Sequence, residues 1–199
     1  MPFLKEQIGI VNSALLNSSL NEERFQGARI EGLAWLANVQ SNERIHTMPV
    51  LIDKFAEMKY VGIDDTYPLT IYHRMLSNAY VKATPRQGYG DNIKVMKQTT
   101  DMVMVVSGRA NIIKLTSEQL EAVLSVGFPD NIAPSELADL KLDNMTVTLL
   151  GSDMNNLNVF NTEYRNIDFV PPEDLLLFSM RYQIETSWKK GCFKLCDCD

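Results

Sequence analysis

Cysteine is scarce in this sequence and confined to one end of it. The 199 residues include three cysteines, Cys192, Cys196 and Cys198, all within the final stretch G-C-F-K-L-C-D-C-D. Three cysteines cannot all pair within one chain, and none lies where a bridge would close a long loop. A fold held together by disulfides is therefore excluded, and reduced thiols are expected.

Basic charge and long apolar runs are also lacking. The chain has 19 Lys and Arg against 25 Asp and Glu, a formal charge of −6. This balance argues against broad nonspecific binding to nucleic acid or anionic lipid, because both need a basic surface. No apolar run approaches the roughly 20 residues that span a bilayer. The start, M-P-F-L-K-E-Q-I-G-I-V-N, lacks the unbroken apolar region of a signal peptide. We therefore expect no membrane association, and we expect the protein to be made and kept in the cytosol or released with lysis.

Sequence frames typical of nucleophilic catalysis and phosphate binding are missing. There is no G-x-S-x-G, and Gly88-Tyr89-Gly90 lacks the G-x-x-x-x-G-K-[ST] frame of a phosphate-binding loop. The run from Asp153 to Asn158 begins like a calcium loop, but Asn158 and Tyr164 stand where that loop needs a glycine and an acidic residue. The ten methionines are better explained as adaptable packing residues than as a cofactor-binding site.

The terminal cysteines form the strongest chemical pattern in the chain. Structural zinc needs four ligands, whereas C-x3-C-x-C supplies three thiolates, with Asp197 or Asp199 as a poor fourth. The favoured interpretation is a partly frayed acidic tail, residues 191–199. A small intracellular enzyme or a metal-binding module that uses these cysteines is the alternative.

The two histidines, His46 and His73, are the only side chains that titrate near neutral pH unaided. Each lies in a segment of alternating apolar and polar residues, which predicts a position on a sheet surface. A metal site would require the turn at Asp64 and Asp65 to fold back towards His73, and the spacing does not compel it. We therefore assign no catalytic, cofactor-binding or metal-ligating residue and expect no cofactor.

The composition that is present indicates a folded globular chain. Hydrophobic residues make up 45% and charged residues 22%, which is typical of one compact unit, here residues 1–199. Leu4, Ile8, Val11 and Leu15 form one apolar stripe and predict an N-terminal helix over 3–17. L-T-S-E-Q-L-E-A-V-L-S-V-G-F-P predicts a short helix near 117–126, capped by Thr116 or Ser117 and ended by Gly127.

Several segments predict strands. They are the stretch after Gln26, R-I-H-T-M-P-V-L-I-D, the run from Leu69 to Val81, residues 100–107, T-V-T-L-L ending at Gly151, and the closing L-L-L-F-S-M-R-Y-Q-I-E-T-S-W-K. Long exposed loops are expected at 84–97 and 151–168. Because no regular crossover helices separate the strands, we predict an α+β fold with a mostly antiparallel sheet.

Three segments carry a resemblance: D-D-T-Y-P-L-T-I-Y-H-R, T-T-D-M-V-M-V-V-S-G and D-L-L-L-F-S-M-R-Y-Q-I-E-T-S-W-K-K-G-C-F. With the order of elements, they resemble neck and tail-completion subunits of tailed bacteriophages, in particular crAss-like phages. The resemblance implies a ring-forming structural protein of the virion's head-to-tail junction, without catalysis, assembled in the host cytoplasm. Its partners would be further copies and portal, neck or tail subunits, with DNA only as the genome in transit.

Overall fold

The computed structural model describes residues 2–41, 44–52, 57–63, 66–85, 94–129, 132, 137–138, 140, 142–167 and 172–189. The helices are α1 (Pro2–Ser18), the single turn α2 (Ala110–Ile113), α3 (Ser117–Gly127) and α4 (Asn156–Glu163), with a 3-10 turn at Glu23–Phe25. The strands are β1 (Arg29–Ser41), β2 (Arg44–Ile52), β3 (Met58–Tyr60), β4 (Leu69–Pro85), β5 (Lys94–Arg109), β6 (Asn144–Asp153) and β7 (Leu175–Lys189).

In this described part of the chain the strands form one seven-stranded sheet in the order β3-β2-β1-β4-β5-β7-β6. All neighbours are antiparallel except β1 and β4, which are parallel. The predicted α+β class, N-terminal helix and mostly antiparallel sheet are confirmed. Within the same residues, no helix is long and apolar enough to cross a membrane.

Helices cover both faces of the sheet, and each face has its own apolar cluster. The larger cluster lies under α1 and α3 and includes Leu4, Val11, Leu120 and Phe178. The smaller cluster lies under α4 and includes Tyr72, Val105 and Val159. We call these two sides the α1 face and the α4 face. Successive residues of the central strands β4 and β5 are buried alternately on one face and the other, which explains the continuous apolar run of β5 over 102–106.

Helix α3 is confirmed, but the requirement for glycine at its C-terminal end has a different cause from the one predicted. Thr116 and Gln119 form a capping box at the start of the helix. Gly127 ends the helix without a left-handed backbone, and a Cβ built there would lie 2.0 Å from the Ser19 hydroxyl oxygen. Glycine is needed because α3 meets the end of α1 there too closely for any side chain.

Both predicted long loops are wrong in part. Thr84 and Pro85 end β4 and pair with Val95 and Lys94 at the start of β5, so 84–85 and 94–97 belong to strands, and the rest of the predicted 84–97 loop lies outside the described residues. In the 151–168 segment, β6 continues to Asp153 and α4 follows. Gly151, with φ +144°, accommodates a register shift instead of ending the strand.

Candidate functional site

A chain of neutral polar groups crosses the apolar core on the α1 face. The hydroxyl of Tyr182 on β7 lies 2.7 Å from Nδ1 of His73 on β4, and His73 Nε2 lies 2.7 Å from Oδ1 of Asn12 on α1. The Asn12 amide nitrogen donates to the Glu31 carbonyl of β1 at 3.1 Å. The Asn12 oxygen must then accept from His73, so the ring is protonated on Nε2 and accepts from Tyr182 on Nδ1.

Burial keeps this chain neutral. His73 is fully buried, and desolvation lowers its pKa from 6.5 to about 3. Burial also raises the pKa of Tyr182 well above its usual range. Both ring nitrogens of His73 have a hydrogen-bond partner, and the side chain is not exposed to solvent. This series of hydrogen-bonded groups therefore holds α1 against three strands, and none of its members is available as a base.

The prediction that His73 lies on a sheet surface is wrong. His73 alternates in phase with Leu69 and Ile71, and those residues face α1 in the core. The pattern therefore placed His73 on the buried side, but it could not reveal Asn12 and Tyr182, which lie 61 and 109 residues away in sequence. His46 is partly exposed on β2, with Nδ1 2.6 Å from the Asn166 carbonyl oxygen, as a sheet-surface position predicts.

An ion pair holds the opposite face together. Glu163, the last residue of α4, is 2% exposed, and Arg74 of β4 donates to it through Nη2 at 2.7 Å and through Nε at 3.1 Å. The Tyr72 hydroxyl donates to the same carboxylate at 3.1 Å. The neighbouring Tyr164 hydroxyl donates to the Val61 carbonyl at 3.0 Å. Burial, followed by the proximity of Tyr164 and Glu163, raises the pKa of Tyr72 well above its usual range.

A cavity of about 300 Å³ opens beside this ion pair, between α4 and strands β4, β5, β6 and β7. Its polar walls include Arg74, Glu163, Asp153 and Arg181, and its size is at the lower end of small-molecule sites. Arg74 and Arg181 lie in one cross-strand row on either side of Val103. The walls carry two positive and two negative side chains, so the cavity has no net charge to select an anion or a cation.

Helix α4 begins where the sequence resembles a calcium loop. Asp153 Oδ1 accepts from the Asn155 backbone at 2.9 Å, and the Asn155 side chain caps the helix by accepting from the Asn158 backbone at 3.1 Å. The oxygens of this run therefore bind backbone N–H groups. Sequence reasoning missed both the helix and Glu163, although Asn155 followed by a helical turn is a capping pattern that could have found it.

The other residues considered for chemistry lie outside the described chain. These are Cys192, Cys196, Cys198, Asp64, Asp65 and the Gly88-Tyr89-Gly90 segment, together with the predicted tail 191–199. Among the residues that are described, no group of three or more His, Cys, Asp or Glu side chains is placed to hold a metal ion.

The sequence matches no protein-family model and no curated protein.

Proposed function

We propose that this protein is a structural subunit of the head-to-tail junction of a tailed bacteriophage, assembling into a ring through contacts between copies. Its partners are portal, neck or tail subunits of the virion, and DNA only passes through the assembly. The resemblance of the element order and of three sequence segments to neck and tail-completion subunits supports this proposal.

The observation that carries the proposal is an apolar surface at the β3 margin of the sheet. Trp35, Val50 and Tyr60 form one cross-strand row on β1, β2 and β3, and Met58 lies on the same face of β3. Val50 is buried, but Trp35, Tyr60 and Met58 are 38%, 46% and 65% exposed. A group of large apolar side chains in contact with water is typical of a surface that binds another protein. We call these four residues the margin patch.

The two polar clusters also support a structural role. The chain from Tyr182 to Asn12 joins α1 to the sheet, and the pair of Arg74 and Glu163 joins α4 to it. The polar side chains of these two clusters therefore bind one another and hold a helix against the sheet. The negative net charge agrees with a channel wall that does not retain DNA.

Oligomeric state tests the proposal. Purified protein, analysed by size-exclusion chromatography with light scattering, is expected to form a ring of defined mass. Met58→Ser combined with Tyr60→Ser is expected to yield monomer, because these substitutions remove the exposed apolar area without opening the core. The matched control is Val126→Ser, which changes an apolar residue that is 84% exposed on α3.

A ring that persists in the Met58 and Tyr60 double variant contradicts the role of the margin patch. A chain that remains monomeric both alone and with portal and tail proteins contradicts the proposed function itself. Portal, capsid and terminase genes beside the coding sequence would support it independently.

A further inference from the structure

The parallel pairing of β1 with β4 stops halfway along both strands. The last pair in register is Ala34 with Arg74, yet β1 continues to Ser41 and β4 continues to Pro85. The register of β4 against β5 shifts between Met75 and Ser77, immediately beyond this last pair. Such a shift bends a strand and increases its twist. Beyond this pair, the β1–β2 hairpin and the β4–β5 hairpin are not paired with each other in the described residues, and we call this break in the pairing the gap.

The hydrogen bonds of β2 define which groups of β1 face this gap. Thr47 exchanges both backbone hydrogen bonds with Arg165, at 3.0 and 2.9 Å, on the side of β2 away from β1. Since Thr47 is opposite Asn38, this is a pair without mutual backbone bonds, and Asn38 directs its N–H and C=O away from β2. The direction of the backbone N–H and C=O groups alternates along β1, so those of Leu36 and Gln40 also face away from β2. The presence of Pro49 opposite Leu36 is consistent with this direction, because this pair needs no hydrogen bond from residue 49 to β1 and proline has no N–H to donate.

Within the described chain no second strand pairs with these three residues on the side away from β2, and Asn38 and Gln40 are exposed. The stretch 33–41, L-A-W-L-A-N-V-Q-S, carries no charged side chain. Free edges are usually protected against pairing by charged residues, proline or short length. This edge has none of these protections. We call Leu36, Asn38 and Gln40 the β1 edge.

The outer side of β6, at one margin of the sheet, is a second unprotected edge. Strand β6 is the last in the order and pairs on one side only, with β7, in the described residues. Its residues 144–152, N-M-T-V-T-L-L-G-S, are also uncharged. The part before the register shift, 144–149, is long enough to match the β1 edge. Each copy thus carries one acceptor edge and one donor edge at different places, which is the requirement for head-to-tail contacts that close into a ring.

We propose that the β1 edge pairs with β6 of a second copy, so that the contact between neighbouring subunits includes a shared β-sheet. This inference rests on the proposed ring. It adds the backbone pairing that sets the register between subunits, whereas the margin patch contributes apolar contact. Addition of a strand to an exposed edge is a common way of binding, in which main-chain hydrogen bonds provide affinity.

Asn38→Pro tests the pairing. Because the Asn38 N–H faces away from β2, proline removes a hydrogen bond to the incoming strand and leaves the β1–β2 pairing intact, as Pro49 does in β2. We expect the concentration for half-assembly to rise about tenfold or more, measured by light scattering. The matched control is Asn38→Ala, which keeps the N–H and loses only the hydrogen bond that Thr47 Oγ1 donates to the side chain at 2.9 Å. It should assemble like the unmodified protein.

Hydrogen–deuterium exchange of the unmodified protein gives a second measurement that does not depend on the proline variant folding. The amides of Leu36, Asn38 and Gln40, and those of 144–149 that face away from β7, are expected to become protected together on assembly. Free exchange at either segment in the assembled state overturns the pairing, as does a folded Asn38→Pro protein that assembles normally. Either result would leave the ring itself standing, whereas an unmodified protein that stays monomeric with and without its proposed partners contradicts both the ring and the pairing.

Discussion

On the α1 face, the covering helix is joined to the sheet through neutral groups, from Tyr182 through His73 to Asn12, whereas on the α4 face it is joined through the ion pair of Arg74 and Glu163. Both sets of groups are buried beneath a helix, and each satisfies its hydrogen bonds internally. They differ in what would disturb them. A neutral chain fails when one member must accept a proton, while an ion pair fails when one of its charges is removed.

Among the single substitutions, removing the charge of Glu163 is expected to reduce stability most. Glu163→Gln keeps the shape of the side chain but leaves the Arg74 guanidinium without a counter-charge, which should lower the free energy of unfolding by about 3 kcal/mol. Urea denaturation measures the loss. Glu22→Gln, at an exposed pair with Arg24, should change it by less than about 0.5 kcal/mol.

The triple variant Tyr72→Phe, Arg74→Met, Glu163→Leu sharpens this test, since it removes both charges together with the buried hydroxyl that donates to Glu163, and it should recover most of the lost stability. A loss below about 1 kcal/mol in Glu163→Gln would mean that the ion pair does not hold α4 in place.

Acid pH is expected to weaken the α1 face. The folded state keeps His73 neutral down to a pKa of about 3, whereas the unfolded chain takes up a proton near pH 6.5. The unfolded state therefore binds more protons between these values, so stability is fully present above pH 6.5 and falls as the pH drops towards 3. At about 1.4 kcal/mol per pH unit, the loss at pH 4 is about 3 kcal/mol.

His73→Gln provides the comparison for this pH dependence, because glutamine can donate and accept hydrogen bonds and does not titrate. The difference in unfolding free energy between the two proteins, measured from pH 7 to pH 4, removes the contribution of other groups. A difference that does not change with pH would show that His73 is not a buried neutral histidine.

Tyr182→Phe should break the neutral chain without adding charge. The substitution leaves Nδ1 of the buried His73 ring without a donor, which should cost about 2 kcal/mol. Thermal or urea unfolding measures the change. Tyr60→Phe serves as the control, because its ring is 46% exposed and its hydroxyl can bond to water. Equal effects of the two substitutions would argue against a buried hydrogen bond at Tyr182.

A small gain is expected at Gln7 of α1. Its side chain is 1% exposed, and neither its amide nitrogen nor its oxygen has a hydrogen-bond partner in the described structure. Gln7→Leu fills a similar volume without a polar group and should raise the unfolding free energy by about 1 kcal/mol. The exposed Gln26→Leu should give no gain. A loss of stability at Gln7→Leu would indicate that its amide does bind a partner, such as a buried water.

Local patterns in the sequence predicted most elements but not their extents. The stripe of Leu4, Ile8, Val11 and Leu15 predicted α1, and the closing alternation predicted β7, because both depend on neighbours a few residues apart. The loops at 84–97 and 151–168 were overestimated because proline, glycine and asparagine weaken local preference, whereas pairing with β5 and β7 stabilises these strands beyond their propensity.

The sequence could not predict the two polar clusters, the hydrogen-bonded groups around His73 and the ion pair of Arg74 with Glu163. Arg74 and Glu163 are 89 residues apart, and nothing in either segment indicates the other. The sequence by itself determined the fold class, the two amphipathic helices and the acidic balance, since each follows from short-range periodicity or composition. Only the tertiary structure decided that His73 is buried and neutral, that Gly127 is required for close contact, and that β1 leaves β4 after Ala34. These three features depend on which distant segments come into contact. Burial and strand pairing contribute to stability only after those segments have met, so local sequence patterns do not reveal them.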